Sequence, residues 1–140
     1  MIDSIKTQLR DSGLKATPVR QAVLALLSRS GKPFTAKEIV AKLSIKIKGL
    51  DTVTVYRTLH SFEKEGIVRS ISLGKDALSY EVPSHHHHHI VCTDCSHIED
   101  FEACAFDSLK DSVLKHSKSF TDITKHSFEL FGLCKACSKR

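Results

Sequence analysis

The sequence predicts an α+β protein: a winged helix-turn-helix in the N-terminal part, followed by a mixed α/β part tied together by a four-cysteine structural zinc site. Three observations predict it. Residues 2–65 carry helical apolar periodicity punctuated by glycines, and residues 67–82 alternate as two short strands. All five cysteines lie in the second half, four of them as two CxxC pairs. The basic excess is confined to the first part, where residues 1–82 hold 14 Lys/Arg against 8 Asp/Glu, whereas residues 83–140 hold 7 against 8.

The elements follow in order. Ile2, Ile5 and Leu9 share a helical face, and Gly13 ends that helix. Thr17 and Pro18 open a second helix as N-cap and first helical residue, with Val19, Val23, Leu26 and Leu27 as its buried stripe. Thr35 and Glu38 have capping-box spacing for a third, which turns Ile39, Val40 and Leu43 inward before Gly49 breaks the chain. A fourth runs from Thr52 to Glu65 and stops at Gly66. Its Val55, Leu59 and Phe62 face the core, leaving Thr52, Tyr56, Arg57 and His60 largely on other faces. Ile67, Arg69, Ile71 and Leu73 then alternate, Gly74 to Asp76 can turn, and Leu78, Tyr80 and Val82 alternate on the return. The pattern changes at Pro83, so the domain boundary is placed between residues 82 and 83. Beyond it, residues 85–92 read as extended, 98–101 as a strand, Leu109, Val113 and Leu114 as one helix face, and residues 121–131 as a strand.

A chain of 140 residues has room for two small domains, and its 41% hydrophobic content fits a folded protein. No apolar run approaches a membrane span, and the amphipathic N-terminus lacks the apolar core of a signal peptide, so a cytoplasmic location is expected. A basic half implies a polyanionic partner, most commonly nucleic acid, or simply a soluble basic surface.

The pairs Cys92/Cys95 and Cys134/Cys137 carry the strongest chemistry. Each knuckle can place two thiolates on one ion, closing a tetrahedral four-sulfur site that suits Zn2+ and leaves no position open for catalysis. A redox pair or free buried thiols are the alternatives. The run His85 to His89 is internal, which argues against a purification tag; a solvated tract is the plainer reading. On a strand its side chains alternate, with His85, His87 and His89 pointing one way and His86 and His88 the other, so that one strand could feed two metal sites. Cys104 is expected to be a small buried residue near Phe101 and Phe106, with metal binding as the alternative and oxidation sensing behind it.

Thr54, Val55, Tyr56 and Arg57 followed by Leu59 resemble the recognition-helix signature of the ferric uptake regulator family. Residues 13–20 (GLKATPVR) resemble its opening motif, and the His-rich strand running into CxxC, with the ending from His126 to Cys137, resembles its dimerisation domain. The resemblance covers nearly the whole chain. It implies that Cys92, Cys95, Cys134 and Cys137 hold a structural zinc. It also implies a regulatory divalent metal, Zn2+ or Fe2+ with Mn2+ as a further candidate, on Glu81, His87, His89 and Asp100. A further site of many members maps onto His86, His88, Asp107 and His126. Iron- and peroxide-sensing members usually add a histidine just before the third helix, where this chain reads Gly31, Lys32, Pro33, Phe34 and Thr35. Four ligands would suit tetrahedral zinc better than five- or six-coordinate iron.

The expected function is therefore a metal-responsive repressor of metal-uptake genes, a homodimer on palindromic double-stranded DNA, with peroxide or manganese sensing as the alternative. Thr54, Tyr56 and Arg57 would enter the major groove, Lys15 and Arg20 would lie near the backbone, and Lys75 on the wing near the minor groove. Core packing for Tyr56 and an ion pair with Glu63 or Asp51 for Arg57 are the bland alternatives. No catalytic residue, membrane or small organic substrate is expected. A zinc hydrolase, since His-x-His pairs with carboxylates can bind a catalytic metal, and a metal-storage protein, which would explain the histidines but not the winged-helix half, are the distant rivals.

Overall fold

Caps fix where the helices begin. In the computed structural model, which describes residues 2–74 and 76–140, Thr17 accepts a hydrogen bond from the Arg20 N–H and starts α2 (Pro18–Ser30). Thr35 and Glu38 form the full capping box of α3 (Ala36–Leu43): the Glu38 N–H donates to the Thr35 hydroxyl at 3.2 Å and the Thr35 N–H to the Glu38 carboxylate at 2.7 Å. Asp51 accepts from the Thr54 N–H at 2.7 Å and starts α4 (Thr52–Lys64). With α1 (Ile2–Asp11), these are the helices of the first of two compact units, Met1–Ser84 and His85–Arg140. The division falls two residues beyond the boundary expected at residue 82. The expected roles of Lys75 on the wing and Ile2 on the first apolar face lie outside the described residues and side chains.

The first unit packs its helices through one apolar cluster. Leu9, Val23, Leu24, Ile39, Val55, Leu59 and Phe62 are fully buried in it. Leu24 joins Val23 and Leu27 as the buried stripe of α2, whereas Val19 and Leu26 are only half-buried. The wing is a three-stranded antiparallel sheet, β1 (Phe34–Thr35), β3 (Ser79–Glu81) and β2 (Arg69–Ile71) in that spatial order. The two-residue β1 pairs Phe34 with Tyr80 and Thr35 with Ser79, so Thr35 both closes the sheet and caps α3. Two residues show no alternation of their own, which is why sequence periodicity does not reveal β1.

The second unit is built on β4 (His88–Cys92). It pairs antiparallel with β5 (Ile98–Phe101) and parallel with β6 (Glu129–Gly132), flanked by α5 (Phe106–His116). The strand expected over residues 121–131 is confined to its end: only 129–132 pair, and 121–128 are irregular. Residues 85–87, expected to be extended, precede the strand. No residue of α5 is buried, and Leu109 and Val113 are exposed. Among the described residues no helix is long and apolar enough to cross a membrane.

Candidate metal centres and nucleic-acid face

The hairpin that leaves β4 makes the first knuckle. The Cys92 N–H donates to the His97 carbonyl at 2.8 Å and the Ser96 N–H to the Cys92 carbonyl at 2.9 Å, with Ser96 in the left-handed region at φ 60° to complete the turn. The end of β6 brings in the second knuckle, because Cys92 pairs with Gly132 and the Thr93 N–H donates to the Gly132 carbonyl. The sulfurs of Cys92, Cys95, Cys134 and Cys137 lie within 4.8 Å of one another, and Cys95 Sγ is 3.7 Å from Cys134 Sγ. A tetrahedral zinc with Zn–S bonds of about 2.3 Å needs sulfurs about 3.8 Å apart, so the four thiols fit one ion. Backbone N–H groups of Cys95 and Cys134 hold the Cys92 thiol down to about 6. The Asp94 carboxylate and the neighbouring thiols push Cys137 up. One thiolate is thus stabilised by backbone donors, while the anionic neighbours that disfavour the Cys137 thiolate are what a divalent cation would offset.

The histidines alternate as the strand geometry requires, although β4 begins only at His88. The His87 and His89 rings stand 4.9 Å apart and the His86 and His88 rings 4.7 Å apart. Both members of the first pair are buried. The His87 Nδ1 is held by the His85 carbonyl at 2.9 Å, and the His89 Nδ1 by the Asp100 carboxylate at 2.9 Å. With Nδ1 engaged on each ring, Nε2 is the nitrogen each can offer to an ion. Asp100, expected as a ligand, stands behind His89 as its orienting carboxylate, because His89 and Asp100 are register partners across β4 and β5. Glu81, the remaining expected ligand, is buried in β3 of the first unit and ion-paired with Arg69.

The second group of histidines gathers differently from expectation. His86, His88 and His126 come together, and the thiol of Cys104, not the carboxylate of Asp107, completes a set whose donor atoms lie within 4.8 Å of one another. Cys104 is exposed, which corrects the expectation of a small buried residue: it lies between β5 and α5, in a stretch that packs into no core. Asp107 sits in the first turn of α5, where a carboxylate favours the helix N-terminus. Metal binding is the alternative role expected for Cys104, but no local pattern joins it to His126, which is 22 positions away. The aromatic wall of this group, Phe106 stacked on His126 at 3.8 Å and Phe128 at 5.2 Å from His88, was equally hidden.

On the first unit, α4 buries Val55, Thr58, Leu59 and Phe62 and turns Tyr56 and Arg57 outward, with Thr54 half-buried. Tyr56 is 39% exposed, so it does not pack under the helix. Thr54 and, more weakly, Arg57 hold the Asp51 carboxyl below its usual range, which places the Arg57 charge near the start of α4. Lys15 is exposed, while the Arg20 guanidinium donates to the Lys15 carbonyl at 3.1 Å and braces the turn before α2.

Comparison with known proteins agrees with this arrangement. The model of the Ferric uptake regulator family matches residues 11–131. A peroxide-responsive repressor, PerR, of Staphylococcus saprophyticus is 35% identical over 138 residues, covering 99% of this chain and 91% of that protein. The structure of the Helicobacter pylori ferric uptake regulator, described as having three functional metal binding sites, superposes with a TM-score of 0.81 at 31% identity, covering 99% of this chain and 94% of that one. The Francisella tularensis ferric uptake regulator, solved with iron, gives 0.77 at 28% identity over 90% and 96% of the two chains.

Proposed function

The chain belongs to the ferric uptake regulator family, and from that premise we propose that it is a homodimeric repressor that binds palindromic operator DNA when a divalent metal occupies a regulatory site. The single observation that carries this reading is the pair His87 and His89. Two buried imidazoles stand 4.9 Å apart, each with Nδ1 held by an oxygen of its own unit. Such paired, oriented rings are costly to bury for structure alone and serve well as metal ligands.

The family resemblance adds Glu81 as a third ligand, and Asp100 either orients His89 or moves onto the ion. When bound, the ion supplies positive charge that holds these donors in one arrangement. It shifts the population only by the difference in its affinity for that arrangement over others. The donors themselves are neutral imidazoles and carboxylates, so acid competes with the metal. Tyr56 and Arg57 read and anchor the major groove, with Thr54 beside them and Lys15 and Arg20 near the phosphates. Zinc is the favoured regulatory ion because the segment from Gly31 to Thr35 offers no histidine as a fifth ligand, with ferrous iron next. The four cysteines hold a separate structural zinc.

A second reading, peroxide sensing through bound iron, is favoured by the staphylococcal PerR likeness. One experiment separates them. Protein stripped with a mild chelator is titrated anaerobically with zinc, ferrous iron and manganese while promoter-DNA affinity is followed, and the loaded forms are then exposed to hydrogen peroxide. Recovery of DNA binding with zinc, insensitive to peroxide, supports the main reading. Recovery with iron and its irreversible loss on peroxide treatment supports the second. DNA affinity that ignores all three metals sinks both.

A further inference from the structure

The group of His86, His88, Cys104 and His126 has chemistry of its own. All four residues lie in the second unit, so the site is complete without any residue of the first. His86 and His88 come from one side of the chain entering β4, Cys104 from the turn after β5, and His126 from the approach to β6. The Cys104 Sγ is 3.5 Å from the His126 Nε2. The ring of His126 is 5.0 Å from that of His86 and 5.5 Å from that of His88. The rings are held from behind by aromatic neighbours: Phe106 stacks on His126 with 17° between the planes, and Phe101 and Phe128 flank His88 at 5.4 and 5.2 Å. Three imidazoles converging beside a thiol, against an apolar wall, are poor packing for a core but a suitable tetrahedral donor set.

We propose that Cys104, in place of Asp107, is the fourth donor to the site of His86, His88 and His126, and that its thiolate makes the site select zinc against manganese. The thiolate decides the selectivity. A carboxylate from Asp107 in its place would leave a nitrogen and oxygen set open to manganese and iron; sulfur favours zinc and disfavours the harder manganese ion. His86 and Cys104 are exposed, so an ion can reach and leave the site from solvent, unlike one held by two interlocked knuckles. Binding deprotonates the thiol, and the proton passes to solvent. The inference rests on reading the second unit as metal-binding, and not on Glu81 or on DNA regulation.

The test uses the full-length protein with its structural zinc in place and counted, titrated anaerobically with cobalt(II). The expected result is a near-ultraviolet thiolate-to-cobalt charge-transfer band that grows without release of zinc. Zinc should abolish it, and equal manganese should leave it. Cys104→Ser and His126→Ala should lose the band, and Asp107→Asn should keep it. A band that persists in Cys104→Ser, that disappears in Asp107→Asn alone, or that manganese displaces as well as zinc would overturn the proposal. Glu81→Ala separates the two readings: it should leave this band intact while abolishing metal-dependent DNA binding.

Discussion

Asp100 faces His89 across the β4–β5 ladder, and its carboxylate lies 2.9 Å from the ring Nδ1. A carboxylate in that position fixes the tautomer and raises the basicity of Nε2. Asp100→Asn should therefore weaken the regulatory metal by roughly 10- to 100-fold, the usual effect of losing such a partner, while the structural zinc stays. Competition against a chelating indicator measures it. An unchanged affinity would mean that Asp100 neither orients His89 nor binds the ion.

A structural ion on the four thiols would make the second unit dependent on it. The first unit contains no cysteine and packs its helices on an apolar cluster that needs no thiolate site. Structural zinc sites contribute on the order of 10 kcal/mol to the folding of small domains. Cys134→Ser should lose the chelator-resistant zinc, counted by elemental analysis, and the second unit should unfold while the α1–α4 helical signal persists. Retention of a full complement of tightly held zinc would refute the four-sulfur assignment.

Much of this architecture is legible in the sequence because its signals are local. The capping box of Thr35 and Glu38, the cap at Thr17, the apolar stripe of α4 and the two CxxC pairs each lie within a few residues. Strand alternation predicts the partition of the histidines, which holds even though only His88 and His89 lie on β4. What escaped is non-local. Strand β1 exists only as a partner of β3. Cys104 meets His126 because the turn after β5 and the approach to β6 flank the same end of β4. The ion pair of Arg69 with Glu81 depends on the register of β2 against β3. Residues 121–128 alternate in character without a neighbouring strand to pair with, and so remain irregular.

Asp51 ties the stability of α4 to pH. Its carboxyl is lowered below 3.8, chiefly by the N–H of Thr54 and then by the Thr54 side chain. A carboxyl lowered on folding adds stability that is complete above its unfolded value and disappears as pH falls through its folded one. Asp51→Asn keeps a capping acceptor but cannot ionise. The variant should melt below the wild type by a constant margin between pH 5 and pH 8, about the range in which the carboxyl stays charged, and the margin should close below 3.8. A margin independent of pH down to acid would show that the charge contributes nothing.

Lys15, in the turn before α2, and Tyr56, on the outward face of α4, should separate anchoring from reading. Lys15→Ala should weaken binding to all DNA sequences alike and reduce the salt slope by about one unit. Tyr56→Ala should cost about 1–3 kcal/mol at the specific operator and little on random DNA. Fluorescence anisotropy on both duplexes across a salt series distinguishes them. Equal losses for Tyr56→Ala on both would demote it from base contact to backbone contact.

The second unit leaves apolar side chains in solvent that a monomer has little reason to display. Ile90 and Leu130, register partners on β4 and β6, are 40% and 48% exposed, and Leu109 and Val113 form a matching pair one helical turn apart on α5. Leu109 and Leu130 line one concavity with Phe101 and Phe128. Exposed apolar side chains around such a concavity suit an interface, and a second copy of the chain would cover them through the same residues on both sides. In a two-fold dimer, Leu130→Asp removes two leucines at once. Each is worth about 1.5–3 kcal/mol on burial, so the dimer dissociation constant should rise by roughly a hundred-fold or more. Sedimentation at micromolar concentration should show monomers with the structural zinc retained, and operator binding should fall with dimerisation. A Leu130→Asp protein that remains dimeric would place the interface elsewhere on the unit.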